Sequence, residues 1–447
     1  MKALMPIRWR SEARSGGVAV GVVHLGLVRF AGGTLALTAT LVLARALGPQ
    51  QYGAYSFVIA LVALLALPVR NGLSTLTVRE TARAERLGEL GLMKGVWRWS
   101  FWSAGGAALL AGMLLILVMV VLGERLGPDR RLIAWGPFLL LPLCWIGVLG
   151  AALAGQQKVA LGRLPENVFR PGLLLLLLGV FTYCFAVPLS AATAMAVTIA
   201  AAWLSLLAAL LLRRVSQPSA LVQIRATYRI RHWINAVWPL TLLGGAQALN
   251  MHVDVVMLGV LAAPEDVGLY RVVVQSVTVV IVGQQIVNMV IAPRLARLHV
   301  AGELQQLQRL VTSSARANFA AALVPALALL FFGEVLLTFV FGAAYAQGAT
   351  ALAVLCFGQL LNAAVGPVGV LLNMSGHERD TLIGVSMASG ANVILNLLLI
   401  PFLGLLGAAI ASAATLAIWN MLLMRQVKNR LGVVSAVVDL QSHGTRP

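Results

Sequence analysis

The chain has 447 residues, of which 60% are hydrophobic and only 11% charged, against roughly 25% charged in an average soluble domain. A mean hydropathy of +0.90 is more than a water-soluble globule can hide, which makes this a membrane protein and excludes a disordered chain, a disulfide scaffold and a collagen-like fibre. The net charge of +18 would suggest nucleic acid in a soluble protein, but here the basic residues sit in short loops between apolar runs, the positive-inside pattern, and no nucleic-acid partner is expected.

In chain order, residues 1–17 form a basic cytoplasmic segment. It is not a cleavable signal, because the apolar run behind it is too long for an h-region. Apolar runs follow at 18–44, 54–76, 99–122, 132–154, 172–189 and 191–212, the last two divided only by Pro188 and a few small residues. They predict an N-terminal six-helix bundle over 18–212, followed by a cytoplasmic linker over 213–234. Runs at 235–260, 270–292, 317–340, 348–372, 382–400 and 405–424 predict a C-terminal bundle over 235–424, with 425–447 as a cytoplasmic tail. Most are long enough to cross about 30 Å of hydrocarbon at about 1.5 Å per residue. The fold class is therefore all-α, a polytopic membrane protein of about 12 transmembrane helices.

Of the 33 Lys and Arg, 26 fall at the termini and in the loops after even-numbered spans. The opposite loops hold four, Arg45, Arg125, Arg130 and Arg131, and three lie inside spans. That bias puts both termini in the cytoplasm. The longest outward loops, 45–53, 123–131 and 261–269, have nine residues each and leave no room for an external domain.

The halves repeat. Pro49-x3-Gly53-x-Tyr55 returns 215 residues later as Pro264-x3-Gly268-x-Tyr270, and Arg79 returns as Arg294. Gly88-Glu89-Leu90 returns as Gly302-Glu303-Leu304 at 214, and Gly155 and Lys158 are echoed by Gly376 and Arg379 at 221. Six spans per half is an even number, so both halves insert the same way up, related by a pseudo-twofold axis along the membrane normal.

Ionisable groups inside spans are costly, by about 2.5–3.5 kcal/mol at the centre. Arg29, Arg70, Asp254, Arg271 and Glu334 are the ones present. Arg29 and Arg70 lie about 10 Å from the cytoplasmic ends of their spans, where they either line a cavity or snorkel to the headgroups. Arg271 sits near the outer interface, where snorkelling is open to it. Asp254 has a short side chain and either pairs with an arginine such as Arg271, is protonated, or faces water, so it reads as a structural ion pair or a coupling site. Polar side chains recur at helical spacing: Arg271, Gln275, Thr278 and Gln285; Gln247, Asn250 and Asp254; Ser389, Asn392 and Asn396. Such stripes either glue helices together or line a wet passage. With no buried carboxylate expected in the first half, the balance favours an anion such as pyrophosphate, which guanidinium groups bind bidentately. Substrate contacts are accordingly expected from Arg29, Arg70, Arg271, Gln275, Gln247, Asn250, Asn392 and Asn396.

Three segments carry a family resemblance: Leu43-Ala44-Arg45-Ala46-Leu47-Gly48-Pro49-Gln50-Gln51-Tyr52-Gly53, the run from Asp254 through Leu258-Gly259 to Val267-Gly268-Leu269-Tyr270, and Asn396 through Leu399-Ile400-Pro401 to Gly404-x2-Gly407-Ala408-Ala409. They resemble the polysaccharide-biosynthesis (O-antigen) flippases of the multidrug/oligosaccharidyl-lipid/polysaccharide exporter superfamily, over roughly residues 18 to 430. The resemblance implies a multi-pass protein of the bacterial inner membrane that moves an undecaprenyl-pyrophosphate-linked oligosaccharide to the periplasmic leaflet. It also implies glycosyltransferases and a glycan polymerase as partners. The lipid II flippase branch has arginines in the cavity from spans one and eight. Arg29 occupies a similar span, whereas Arg271 stands where the family often has its basic residue further along, near Gln275.

No GxxxxGK[ST], HExxH or GxSxG pattern occurs, and the three cysteines lie apart in apolar runs, so neither an enzyme, a cofactor nor a metal site is expected. The rival readings are a multidrug/cation antiporter, which wants carboxylates in spans one to six, a polysaccharide polymerase or ligase, which wants a large outward loop, and a structural scaffold.

Overall fold

The structure, a computed structural model, describes residues 14–122, 130–185, 189–217 and 220–437. Residues 1–13, Arg125, Pro188 and the tail beyond 437 lie outside the described residues, and so do the side chains of residues 14–23 and of Gln247. Every regular element among the described residues is helical.

Among the described residues, nine helices are long and apolar enough to cross a bilayer. Two of them are too long for one crossing, because the 54 residues of Glu378–Leu431 would run about 81 Å if straight. Gly404 breaks that run with a φ of 51°, and Gly48 breaks Arg14–Leu65 with a φ of 70°, a left-handed region open to glycine at little cost. Past Gly404 the chain doubles back: Arg430 Nε reaches Asp380 Oδ2 at 2.9 Å from 50 residues away in the same run. A twelfth pass is broken in its middle at Met251 and His252. The twelve passes are α1 (residues 14–47), α2 (49–87), α3 (Leu90–Leu122), α4 (Gly136–Gly155), α5 (159–185), α6 (Ala191–Ser216), α7 (Ile230–Asn250 and Val253–Leu261), α8 (Pro264–Val300), α9 (Leu304–Phe341), α10 (Ala349–Val365 and Val368–Met374), α11 (378–403) and α12 (405–431).

The fifth span corrects the sequence reading. It starts at Val159 rather than 172, so Arg163, Glu166 and Arg170 lie within a membrane-crossing helix. The expectation that the first six spans lack a carboxylate therefore fails at Glu166.

The repeat motifs meet on the axis. Gly53 packs against the carbonyl of Pro264 and the amide of Gly268, and Gly268 packs against the carbonyl of Pro49 and the amide of Gly53. Each glycine thus touches the counterpart of its own motif, the reciprocal contact expected of a twofold interface. A Cβ at either position would enter backbone, so the close crossing requires glycine. Nearby, Arg45 Nη2 donates to the Phe339 carbonyl at 2.7 Å and Tyr345 Oη to the Ala44 carbonyl at 2.8 Å, so the halves are joined on the side opposite the termini.

The repeat extends into the segments that leave each half. Lys94 on α3 donates to the carbonyls of Leu221 and Ile224, both at 2.8 Å, and clasps the strap after α6. Its counterpart 214 residues on is Gln308 on α9, which bonds both the carbonyl (2.7 Å) and the amide (2.9 Å) of Val434 in the strap after α12. On the same side α7 leans into the first half, where its Trp233 is 1% exposed and lies 5.4 Å from the Trp99 ring.

Candidate functional site

Two widened helical turns face each other in the first half. Pro68–Leu73 of α2 and Pro165–Phe169 of α5 are π-helical, each with proline at its start. Proline lacks the N–H and crowds the preceding turn, which favours such a bulge, and π-bulges recur at functional sites. The first turn carries Arg70 and the second Glu166, and the two side chains form an ion pair. Arg163 Nη1 lies 3.5 Å from the other carboxylate oxygen, so one carboxylate orients two guanidinium groups. Each guanidinium keeps further N–H donors, since each has five and these pairings use one apiece.

Arg170 follows the second bulge and lies within the electrostatic field of both Glu166 and Arg70. A pocket of about 100 Å³, room for about three waters, opens beside the pair. Arg70, Ser74, Thr75, Arg163 and Glu166 supply its polar lining. Ser74 Oγ is buried there and takes no hydrogen bond among the described residues.

The cluster reaches across to the second half. Arg271 of α8 and Arg170 of α5 both act electrostatically on Tyr55, and Arg271 and Arg70 both act on His252, at the break of α7. Arg70, Arg170 and Arg271, from α2, α5 and α8, are therefore each within electrostatic range of Tyr55 or His252. His252 Nδ1 and Asn250 Oδ1 are buried at that break without a hydrogen bond among the described residues.

The second half builds a different centre. Asp254 is 8% exposed and accepts from Asn396 Nδ2 at 2.7 Å, from Tyr270 Oη at 2.9 Å and from Ser412 Oγ. The donors come from α11, α8 and α12. The pairing with Arg271 considered from sequence is absent among the ion pairs of the described residues, and the neighbouring Tyr270 bonds Asp254 in its place. Asn396 also donates to Asn392 at 3.0 Å, and these two side chains are 0% and 3% exposed. The stripe on α11 binds helices together inside the bundle rather than lining an open passage.

Of the remaining expected residues, Gln275 is partly exposed on α8 and Gln247 falls outside the described side chains. Arg29 is exposed on α1, one turn before Gly32, whose Cα approaches the Asn167 backbone of α5. Arg29 has no hydrogen bond or ion pair among the described residues, and the structure does not join it to the Arg70 cluster. Sequence reasoning missed Arg163, Glu166 and Arg170 because Pro165 and Pro171 made a polar, proline-rich stretch look like a loop. It also missed the amide chain of the second half, in which Asn420 Nδ2 bonds Asn362 Oδ1 at 3.0 Å and Asn362 Nδ2 bonds Gln284 Oε1 at 3.1 Å. These residues lie on three separate helices, so no spacing in the sequence marks the chain of amides.

Comparison with known proteins adds three findings. The sequence profile of a family described as polysaccharide biosynthesis protein matches residues 18–299. A protein of Haloferax volcanii, the probable low-salt glycan biosynthesis flippase Agl15, is 25% identical over 169 residues, which is 37% of this chain and 35% of that one, so the match spans about a third of the relative's length. Among solved structures, an inward-facing multidrug resistance MATE family transporter of the MOP superfamily superposes with a TM-score of 0.72 at 15% identity, covering 92% of this chain and 98% of the other. The lipid II flippase MurJ in an inward closed conformation superposes with a TM-score of 0.71 at 13% identity, covering 91% and 87%. The fold is that of these transporters.

Proposed function

Because the chain belongs to the polysaccharide biosynthesis protein family, we propose that it is a flippase for a polyprenyl-pyrophosphate-linked oligosaccharide and that the convergent arginines hold the diphosphate. The observation that carries this reading is the charge balance at the two facing π turns. Arg70, Arg163 and Arg170 outnumber the single Glu166, and Arg271 adds a fourth positive charge from the other half. A diphosphate brings negative charge on both phosphates and accepts paired N–H donors from guanidinium groups. In the same reading both termini face the cytoplasm of a bacterial inner membrane, as the basic loops suggest. The substrate is an undecaprenyl-linked O-antigen-type repeat, delivered by glycosyltransferases and passed on to a glycan polymerase, and the chain transports without catalysing a reaction.

One observation favours a second reading, a cation antiporter. Glu166 supplies the carboxylate inside the first half that such a transporter needs. The surplus of arginine around it opposes a cationic substrate. Cells carrying Arg70→Ala are expected to lose surface glycan by at least tenfold at unchanged membrane abundance, and to accumulate lipid-linked sugar on the cytoplasmic face, with Arg70→Lys retaining part of the export. Normal glycan export in the Ala variant, or loss of resistance to cationic drugs without loss of glycan, would sink the flippase reading. Arg29→Ala in the same assay decides whether that residue belongs to the path: unimpaired export removes it.

A further inference from the structure

The two halves differ at the hairpin on the terminus side. In the first half the groove beside α2 and α3 is lined by Arg83 and Arg229 together with Glu80 and Glu89. Some of its basic groups are paired within the chain: Arg79 pairs with Glu80 at 3.1 Å, His232 lies 3.8 Å from Glu80, and Arg229 lies 3.9 Å from Glu89. Arg83 forms no ion pair among the described residues and, with Arg229, Arg231 and His232, also borders an adjoining open groove of about 650 Å³. In the second half the counterpart of Glu80 is Leu295, which is fully buried. The corresponding groove, about 690 Å³ between α8 and α9, is lined by Arg294, Arg297, Leu298, Gln306, Arg309, Leu310 and Ser313, with no carboxylate. Arg294, Arg297 and Arg309 are exposed and form no ion pair among the described residues. Among the described residues, the strap after α12 bonds Gln308 and Arg316 and not the arginines that line this groove.

The arginines also continue an apolar strip. Val279, Ile286 and Val290 are 58%, 60% and 61% exposed, and at helical spacing they share one face of α8 with Arg297 and lie beside Arg294. From Val290 to Val279 the strip is about 16 Å long, close to the depth of one leaflet, half of about 30 Å. Apolar length above and uncompensated guanidinium below match a molecule with an acyl chain and a phosphate head.

We propose that this groove is a binding site for an anionic phospholipid, with the headgroup phosphate held by Arg294, Arg297 and Arg309 and an acyl chain along the α8 strip. The site is separate from the arginines of the interface and stands whether or not the glycan reading does. Native mass spectrometry of the full chain in detergent, titrated with dioleoyl phosphatidylglycerol, dioleoyl phosphatidylcholine or inorganic phosphate, tests it. The native chain is expected to retain phosphatidylglycerol at least fivefold more than phosphatidylcholine. The triple variant Arg294→Gln, Arg297→Gln, Arg309→Gln is expected to lose that preference, while Arg83→Gln with Arg229→Gln keeps it. A paired Ile286→Ser and Val290→Ser variant is expected to weaken retention of the dioleoyl lipid and leave a short-chain phosphatidylglycerol unaffected. Unchanged preference in the triple arginine variant overturns the proposal, as does equal loss in the first-half variant, or full competition by inorganic phosphate with no dependence on the acyl chain. Should the triple variant fail to fold, the corresponding lysine triple, which keeps the charge but not the planar fork, is expected to retain binding partly; binding indistinguishable from phosphatidylcholine would count against the site.

Discussion

Tyr55 and Tyr270 stand 215 residues apart, at matching places in the two halves. Each lies beside a hydroxyl on the sixth helix of its own half: Tyr55 bonds Thr198 at 3.0 Å, and Tyr270 Oη sits 2.8 Å from Ser412 Oγ while both hydroxyls turn their protons to Asp254. Only the second pair has a carboxylate beside it, because the residue matching Asp254 in the first half is the buried Ala39. The first half instead places its acid, Glu166, on α5 against arginines. One duplicated scaffold therefore holds two kinds of polar centre. The first is ionic and open to the interface, and the second is a neutral hydrogen-bond shell around one buried acid. The difference separates two arrangements: an acid set among arginines in the first half, and an acid that ties four helices of one bundle together in the second.

The axis contact is shared by both halves, and breaking it is expected to have the largest effect. Gly53→Leu and Gly268→Leu each drive a side chain into backbone and should cost well beyond the roughly 1–3 kcal/mol of ordinary overpacking. Loss of the monodisperse peak in fluorescence-detected gel filtration checks this, and the two variants should fail alike. A Gly268→Leu protein that behaves as well as the native chain would contradict the reciprocal seat.

Removing the second-half acid comes next. Asp254→Ala leaves Asn396, Tyr270 and Ser412 donors without their acceptor, at about 1–3 kcal/mol per unsatisfied group. A thermal melt of the detergent-solubilised chain measures it. Transport in Asp254→Asn sharpens the comparison further: a flattened pH profile supports coupling through this residue, and an unchanged profile leaves it a structural role. The tyrosines then test the asymmetry directly. Tyr270→Phe removes a hydrogen bond to a carboxylate and should cost about 1.5–3 kcal/mol, whereas Tyr55→Phe removes a neutral one, about 0.5–1.5 kcal/mol. Equal melting shifts would mean that the bond to Asp254 adds nothing beyond an ordinary hydroxyl contact. The smallest effect is expected at the straps, where Lys94→Ala and Gln308→Ala should each cost about 1 kcal/mol and resemble one another.

Much of this was legible in the residues. Apolar runs located twelve passes because bilayer thickness dictates their length, and the repeated Pro-x3-Gly-x-Tyr revealed the duplication. Gly53 and Gly268 could be matched in sequence, but that they touch each other is a property of three dimensions. Hydropathy misplaced the start of α5 for a physical reason: a window average penalises Arg163, Glu166 and Arg170 singly, while the fold lets the carboxylate offset its neighbours. The stripe of Asn392 and Asn396 was visible, but spacing alone does not say whether a polar face meets water or another helix. Arg271 was one of the partners considered for Asp254, and the adjacent Tyr270 bonds it instead. A shift of one residue turns a helical side chain by about 100°, so neighbours on one helix cannot both face the same partner.

The seat formed by Gly53 and Gly268 has a consequence for how the molecule moves. Each glycine is pinned by the partner motif of the other, so neither contact can loosen while its twin stays closed. Any relative motion of the two helices at this crossing must therefore part both contacts together.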